Sequence, residues 1–342
     1  MSQLRTGIAG CGAIFPMHAA SIAGSDAAHL VAVCDPDAGR RDEASRAYGC
    51  AGYDRLEEML EREKLDVLHL CTPHYLHPPQ TILAASRKVN VLTEKPMCIA
   101  SADGLAMIEA CGVSGVQLGV ILQNRYNPGA RLIREALDDG SLGAIRGARC
   151  SVLWSRSNDY YASSGWRGTW SKEGGGALIN QSIHTLDLMR WFMDSEVVRV
   201  EAHLSNRTHP GIEVEDAAEG ILIFASGASA LFYVTTSYSH DAPVEVELHG
   251  EHGIAKLSGD QAVITYRDGT VISRDRRPGE TMDYGSGAKA YWGVSHFKQI
   301  QDYYRSVQRG EPPVIDGREA IKTQRMIEAI YQAGKTNQPV LM

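Results

Sequence analysis

The 342-residue chain has seven cysteines but no CxxC pair among Cys11, Cys34, Cys50, Cys71, Cys98, Cys111 and Cys150. An odd number at these spacings supports neither a disulfide framework nor a structural zinc site. The cysteines read as reduced, mostly buried thiols of a cytoplasmic protein. A basic excess is also missing. The 34 Lys and Arg stand against 41 Asp and Glu, a net charge of −7, which excludes the positive field of a nucleic-acid binder. No apolar run approaches the roughly 20 residues that span a bilayer, and no secretory h-region is visible at the N-terminus. Repeats and low-complexity tracts are absent as well. What remains is a globular balance of 44% hydrophobic and 22% charged residues. At roughly 150 residues per domain, that predicts two domains.

In the first third, short apolar runs alternate with helical patterns. Strands are expected over 6–10, 30–34, 67–71, 90–93 and 117–122, and helices over 13–24, 37–48, 56–63, 79–88 and 103–111. This rhythm predicts βαβ units and a parallel, doubly wound α/β domain over 1–123. Its continuous apolar strands fit a sheet covered on both faces. After a boundary near 122–128, strands dominate: 144–155, 197–206, 219–225, 230–238, 244–249 and 262–266. Helices are expected over 130–138, 177–193, 296–308 and 318–333. The second domain, 124–342, is therefore predicted to be α+β with a large, mostly antiparallel sheet, and its last helix could pack back on the first domain. The Gly-rich stretch 278–287 reads as a loop.

The first strand ends in Gly10-Cys11-Gly12-Ala13-Ile14-Phe15. The first glycine permits a tight turn, the second lets backbone approach a pyrophosphate, and the helix N–H groups beyond Ala13 and Ile14 face the anion. The usual third small residue is Phe15 here. Taken alone, the segment is equally an ordinary tight turn. Asp35, at the end of the second strand, suits hydrogen bonds to ribose hydroxyls and would repel a 2′-phosphate, favouring NAD over NADP. Asp37 adds to that repulsion and Arg40 offsets it. The bland alternative makes Asp35 a helix cap.

Thr72-Pro73 and Thr93-Glu94-Lys95-Pro96 follow apolar strands and so fall at the carboxyl edge of the sheet, where ligands bind. Lys95 is either aimed into the cleft or an ordinary loop lysine. Further on, Gly174-Gly175-Gly176 precedes a helical pattern in which Asn180, His184 and Asp187 are spaced to share one face. Asp187 could orient His184 or pair with Arg190. The glycines suggest close approach of backbone to a nicotinamide or substrate, whereas a core histidine is the alternative for His184.

Together these segments resemble the Gfo/Idh/MocA family of nicotinamide-dependent oxidoreductases, which includes inositol and sugar dehydrogenases. The resemblance rests on GCGAIFPMH (10–18), VAVCDPD (31–37), CTPHYLH (71–77), TEKP (93–96), QNRYNP (123–128), WRGTW (166–170), GGGALINQSIHTLD (174–187) and the closing stretch 291–323. It implies a Rossmann domain, a second domain on a large antiparallel sheet, and homodimers or homotetramers through that sheet's open face. By the same resemblance Gly10, Gly12, Ala13, Ile14, Phe15, Asp35, Arg40, Thr72, Pro73, His77, Glu94 and Lys95 would hold NAD, with Asn124, Trp166, Arg167 and Tyr291 as weaker candidates. Lys95 and His184 would form the catalytic pair. Many members have Asp where this chain has Asn180, and Asn cannot act as a base. Acid–base work therefore shifts to Lys95 and His184, with Asn180 holding a substrate hydroxyl.

Oxidising a secondary alcohol needs a hydride acceptor, which NAD supplies, and a base. An unperturbed lysine, near 10.4, is too basic for that role at neutral pH, whereas histidine starts near 6.5. Either residue could be the base. The resemblance implies a sugar, cyclitol or sugar-derivative substrate. Asn124, Arg125, Tyr126, Asn180 and Tyr238 could supply hydroxyl contacts, and each is equally plausible as structure. Rival readings are a keto-sugar reductase, a glycoside or nucleotide-sugar dehydrogenase, and a silent NAD-responsive regulator.

Overall fold

Six strands of the first third form one parallel sheet: β1 (Leu4–Ala9), β2 (Ala28–Cys34), β3 (Ala51–Tyr53), β4 (Val67–Leu70), β5 (Asn90–Thr93) and β6 (Leu118–Val120). Their order is β3-β2-β1-β4-β5-β6. Helices α1 (Phe15–Ala23), α2 (Ala38–Tyr48), α3 (Leu56–Arg62), α4 (His77–Ser86) and α5 (Ser101–Ser114) provide the crossovers. The strand order reverses between β1 and β4, and the carboxyl ends at such a switch point form the ligand crevice of this architecture. β4 is buried at every residue, His69 included, as a strand covered on both faces is. The strand β3 was not foreseen. It has three residues, one of them glycine, and exists because β2 offers it an edge to pair with.

The computed structural model describes residues 3–277, 280, 282, 284 and 295–342. Tyr291 and most of the stretch 278–287 lie outside the described residues. The chain divides into two units, Met1–Gln123 with Thr281–Lys322, and Asn124–Glu280 with Thr323–Met342.

The second unit is built on a nine-stranded sheet ordered β14-β13-β12-β11-β7-β10-β9-β8-β15. Its strands are β7 (Ile145–Leu153), β8 (Val197–Ser205), β9 (Ala217–Phe224), β10 (Ser229–Thr235), β11 (Glu245–Gly250), β12 (Gly253–Ser258), β13 (Gln261–Tyr266), β14 (Val271–Arg274) and β15 (Val340–Leu341). Among the described residues of this sheet, only β7 and β10 pair in parallel. On one face, α6 (Pro128–Asp138) and α8 (Ile183–Met193) bring Ile133, Leu186, Met189 and Phe192 onto Val152, Phe232 and Leu248. A short helix α7 (Asn158–Ala162) lies between β7 and the glycine run. The helix expected over 177–193 is broken. A π-helical turn, Ala177–Gln181, is followed at Ser182 by a new start.

Helix α9 (His296–Arg309), expected in the second domain, groups with the first unit. The reason is its apolar stripe. Ile300, Tyr303 and Tyr304 are buried among Ile8, Val33, Val67 and Leu92, at the i, i+3, i+4 spacing of one helix face. Gln299 adds a pin: its amide donates to the Val120 carbonyl (2.7 Å) and its oxygen accepts from Leu122 N–H (3.0 Å). The last helix, α10 (Gly317–Thr336), belongs to the first unit up to Lys322, and from Thr323 onward its Met326, Ile327 and Ile330 join the core of the second. Among the described residues, no helix is long and apolar enough to cross a membrane.

Candidate active site

The turn after β1 is shaped by two glycines for different reasons. Gly10 has φ of +94°, and a Cβ there would lie 2.6 Å from the Cys71 carbonyl oxygen, so the ends of β1 and β4 approach too closely for any other residue. A Cβ on Gly12 would meet only Arg40 Nη1, at 3.9 Å. The turn is therefore open on that side. Phe15 does not fill the opening. Its ring is buried with Ile8, Ala19 and Val33 and packs edge-on to Tyr48 at 5.7 Å. Expected as a cofactor contact, it is a core residue instead, because an aromatic ring is best buried under the helix.

Asp35 is buried at the end of β2 and accepts from Cys11 N–H (2.8 Å) and Asp37 N–H (2.9 Å). It therefore ties the glycine turn to β2. The cap of α2 is Asp37, which accepts from Arg40 N–H at 2.9 Å. Arg40 remains largely exposed and reaches Asp37 at 3.6 Å. The thiols of Cys11 and Cys34 are pushed up to about 12 by burial, with Asp35 adding to the effect. Neither is a thiolate nucleophile.

Beyond β4, Thr72 donates its hydroxyl to Gln80 Oε1 at 2.6 Å. His77 is fully buried, its ring nitrogens at 2.8 Å from the Pro96 carbonyl and 2.9 Å from that of Thr72. It was expected on the cofactor, but it pins the loop after β4 to the loop after β5. Burial holds its pKa below the usual imidazole value. Lys95 follows β5, half-buried, with its peptide to Pro96 in the cis form. Its backbone N–H donates to Glu94 Oε2 at 3.1 Å.

Glu94 itself anchors a chain of buried groups. His18 Nε2 lies 2.9 Å from Glu94 Oε1, His18 Nδ1 lies 2.8 Å from His69 Nδ1, and His69 Nε2 lies 2.9 Å from the Tyr304 hydroxyl. His296 Nε2 is 3.4 Å from the same carboxylate oxygen. Burial alone would raise Glu94, but hydrogen bonds from His18 and His296 override it and hold the carboxyl well below its usual value. Burial, reinforced by His18, holds His69 well below the usual imidazole value. One set of tautomers satisfies the whole chain. Tyr304 donates to His69, His69 to His18, and His18 to the carboxylate. Such a network fixes Glu94, and Glu94 fixes the backbone of Lys95. The coordinating atoms of His18, Glu94 and His296 also lie within 4.8 Å of one another. The hydrogen bonds of this chain already engage His18 and Glu94 without a metal.

In the second unit, Gly175 and Gly176 are required by packing within the unit. Gly175 has φ of +150°, and a Cβ there would collide with the Tyr331 hydroxyl; at Gly176 it would collide with the Glu215 carbonyl oxygen. The Glu215 carboxylate accepts from Gly176 N–H (3.1 Å), Leu178 N–H (2.9 Å) and Tyr331 (2.9 Å). Asn180 sits on the π turn, so it and His184 do not share one α-helical face. Its Nδ2 donates to Glu173 Oε1 at 2.5 Å, and Gly168 N–H donates to Glu173 Oε2 at 2.5 Å. Burial pushes both Glu173 and Glu215 up to about 7. His184 is half-buried on the first turn of α8.

Asp187 does not orient His184. It accepts from Arg125 Nε and Nη2 at 2.7 and 2.6 Å and from Thr323 Oγ1 at 2.7 Å, while Arg190 stands off at 3.8 Å. Arg125, expected on the substrate, is thus half of a buried bidentate ion pair, and its guanidinium lies 5.2 Å over Trp191. Arg167 stacks on Tyr160 at 4.3 Å and Trp166 at 5.2 Å. Asn124 and Tyr126 are half-buried, and Tyr238 is 40% exposed beside His240.

Residues 4–122 match the oxidoreductase family with an NAD-binding Rossmann fold, and residues 130–256 match the GFO/IDH/MocA C-terminal domain. The chain belongs to the Gfo/Idh/MocA family. It is an oxidoreductase, and its named relatives include sugar and cyclitol dehydrogenases. D-apiose dehydrogenase of Paraburkholderia graminis is 28% identical, with 99% of this chain and 90% of that protein covered. Myo-inositol 2-dehydrogenase of Thermotoga maritima is 25% identical, over 92% and 91%. The WlbA dehydrogenase of Bordetella pertussis, solved with NADH and UDP-GlcNAcA, is 29% identical, covers 100% and 99% of the two chains, and has a TM-score of 0.87. As a Gfo/Idh/MocA chain, this one adds partners that its motifs alone did not reveal, namely His69, Glu173 and Glu215. One sign was readable. A histidine inside the apolar strand Val67–Leu70 must find a buried partner.

Proposed function

We propose that the protein is an NAD-dependent dehydrogenase acting on a secondary alcohol of a sugar, cyclitol or sugar derivative, with Lys95 and His184 handling the proton. The observation that carries this reading is the half-buried Lys95 at the carboxyl end of β5, its backbone held by Glu94, in a sheet whose β1 turn is open at Gly12. The dinucleotide fits the residues present. The N–H groups around Gly12, Ala13 and Ile14 suit the pyrophosphate, Asp35 the ribose hydroxyls, and Thr72 and Pro73 the rim. When bound, NAD supplies the hydride acceptor. Lys95 hydrogen-bonds the reacting hydroxyl, and His184 shares or relays its proton. The sugar class is supported by the relatives named for D-apiose and myo-inositol. Incubating the purified protein with NAD and a panel of sugars and cyclitols should produce NADH absorbance with at least one of them. Silence across the panel would remove the substrate class.

Asp35 supports NAD over NADP as the coenzyme. Its buried carboxylate would face a 2′-phosphate with like charge, while Arg40 is exposed and already near Asp37. NADH should raise the melting temperature more than NADPH, and Asp35→Ser should narrow or invert that difference. A larger shift with NADPH on the unaltered protein would sink the assignment.

We also propose that copies associate through the uncovered face of the nine-stranded sheet. Ile221, Leu231, Tyr233 and Ile254 are exposed on β9, β10 and β12, with Leu231 at 55%. An apolar face of this kind is rarely left to water. Light scattering should give a mass of two or four chains, and Leu231→Arg should lower it; a single-chain mass for the unaltered protein would refute the association. The reduced, mostly buried cysteines support a cytoplasmic location, and recovery of the protein only in a secreted fraction would rule that out.

A further inference from the structure

An amide cannot replace a carboxylate as a base, but it can replace one as an acceptor if its orientation is fixed. Asn180 has that fixation. Its nitrogen donates to Glu173, so its oxygen must point the opposite way. Glu173 is 1% exposed, and its second oxygen is held by the Gly168 N–H, so the carboxylate cannot rotate away. We propose that Glu173 is a positioning residue that turns Asn180 Oδ1 outward as a hydrogen-bond acceptor, so that the Glu173–Asn180 pair presents to a substrate hydroxyl the face a carboxylate at position 180 would present.

This rests on the dehydrogenase reading given above. The charge needed to hold the amide is kept away from the reacting groups, one side chain behind them. Arg167 and Glu215 are charged groups that act on Glu173, and Glu173 in turn acts on Tyr160, Tyr161 and Tyr331. Burial has already raised its carboxyl to about 7. Donation by Asn180 favours the ionised form, which is also the form that holds the amide in place.

Three variants test the pair. In Glu173→Gln, the Gly168 N–H retains the oxygen end of the new amide, so its nitrogen faces residue 180. Asn180 must then reverse, turning its oxygen inward and its donors outward. The kcat for alcohol oxidation should fall about tenfold or more, with the KM for NAD unchanged. Adding Asn180→Asp should restore kcat to within about threefold of the unaltered enzyme. In that double variant the carboxylate at position 180 accepts from the amide at position 173 and still offers an outward acceptor. Asn180→Asp alone places two carboxyls in contact, which must share one proton. Its activity should drop as pH rises and that proton leaves, a step absent from the double variant. An unchanged kcat in Glu173→Gln, or a double variant no better than Glu173→Gln, overturns the proposal. Should the unaltered protein oxidise no sugar, the dehydrogenase reading fails, and melting temperatures read the pair on their own. At alkaline pH, Asn180→Asp should melt below the unaltered protein and the double variant should recover. Equal melting of all forms overturns the pairing.

Discussion

Replacing Lys95 by methionine should lower kcat by roughly 10²–10⁴-fold while leaving NADH binding nearly intact, the range expected for loss of a positioned acid–base group. Methionine keeps most of the length and apolar body of the side chain and removes the ammonium. The link that holds this residue in place is a backbone N–H to Glu94 Oε2, which the substitution preserves. The hydrogen bonds of the buried network behind it run from Glu94 through His18 and His69 to Tyr304, and these the substitution leaves in place. Loss of activity would therefore report lost proton handling, not a displaced loop. Steady-state kinetics with an NADH titration separates the two. A variant within about tenfold of the unaltered kcat would show that Lys95 is not the acid–base group.

Asp187→Ala should cost the second unit about 3–5 kcal/mol of stability, the usual effect of leaving one buried charge without its partner. Both partners are buried, Asp187 at 1% and Arg125 at 5%, and the carboxylate also accepts from Thr323. Burial opposes ionisation of Asp187, but Arg125, Arg190 and Thr323 together hold its carboxyl below the ordinary value. A depressed acid contributes stability that is complete above the unfolded value near 3.9 and is lost as pH falls through the folded one. The difference between the unaltered protein and Asp187→Ala should therefore be constant at neutral pH and shrink only in acid. Urea unfolding across pH measures it. Adding Arg125→Met should return much of the loss, because the stranded charge is then gone. A single variant that loses less than about 1 kcal/mol at neutral pH would show that the pair is exposed to water in solution.

Some of the local structure was readable because its causes are local. Asp35 follows from where β2 stops and Lys95 from where β5 stops, whereas Gly10 is required by the approach of β4. Other side chains near motif positions take partners from the protein itself. The His77 ring bonds two backbone carbonyls, Arg125 pairs with Asp187, and the Phe15 ring lies in the core. The helix face joining Asn180 to His184 was inferred from α-helical periodicity, and a π turn interrupts that period where Gly175 and Gly176 pack against Tyr331 and Glu215.

The sequence alone determined a parallel sheet followed by a mostly antiparallel one, a glycine turn with an acid beyond it, and a lysine at a strand end. Periodicity and turn chemistry act over a handful of residues, so they can be read from order alone. Only the tertiary structure decided who partners whom. His18 meets His69 across 51 residues, Arg125 meets Asp187 across 62, and α9 returns to the first unit. A buried polar group must be paired, but its mate is set by which strand ends and helix faces come together, and that information resides in the packed core.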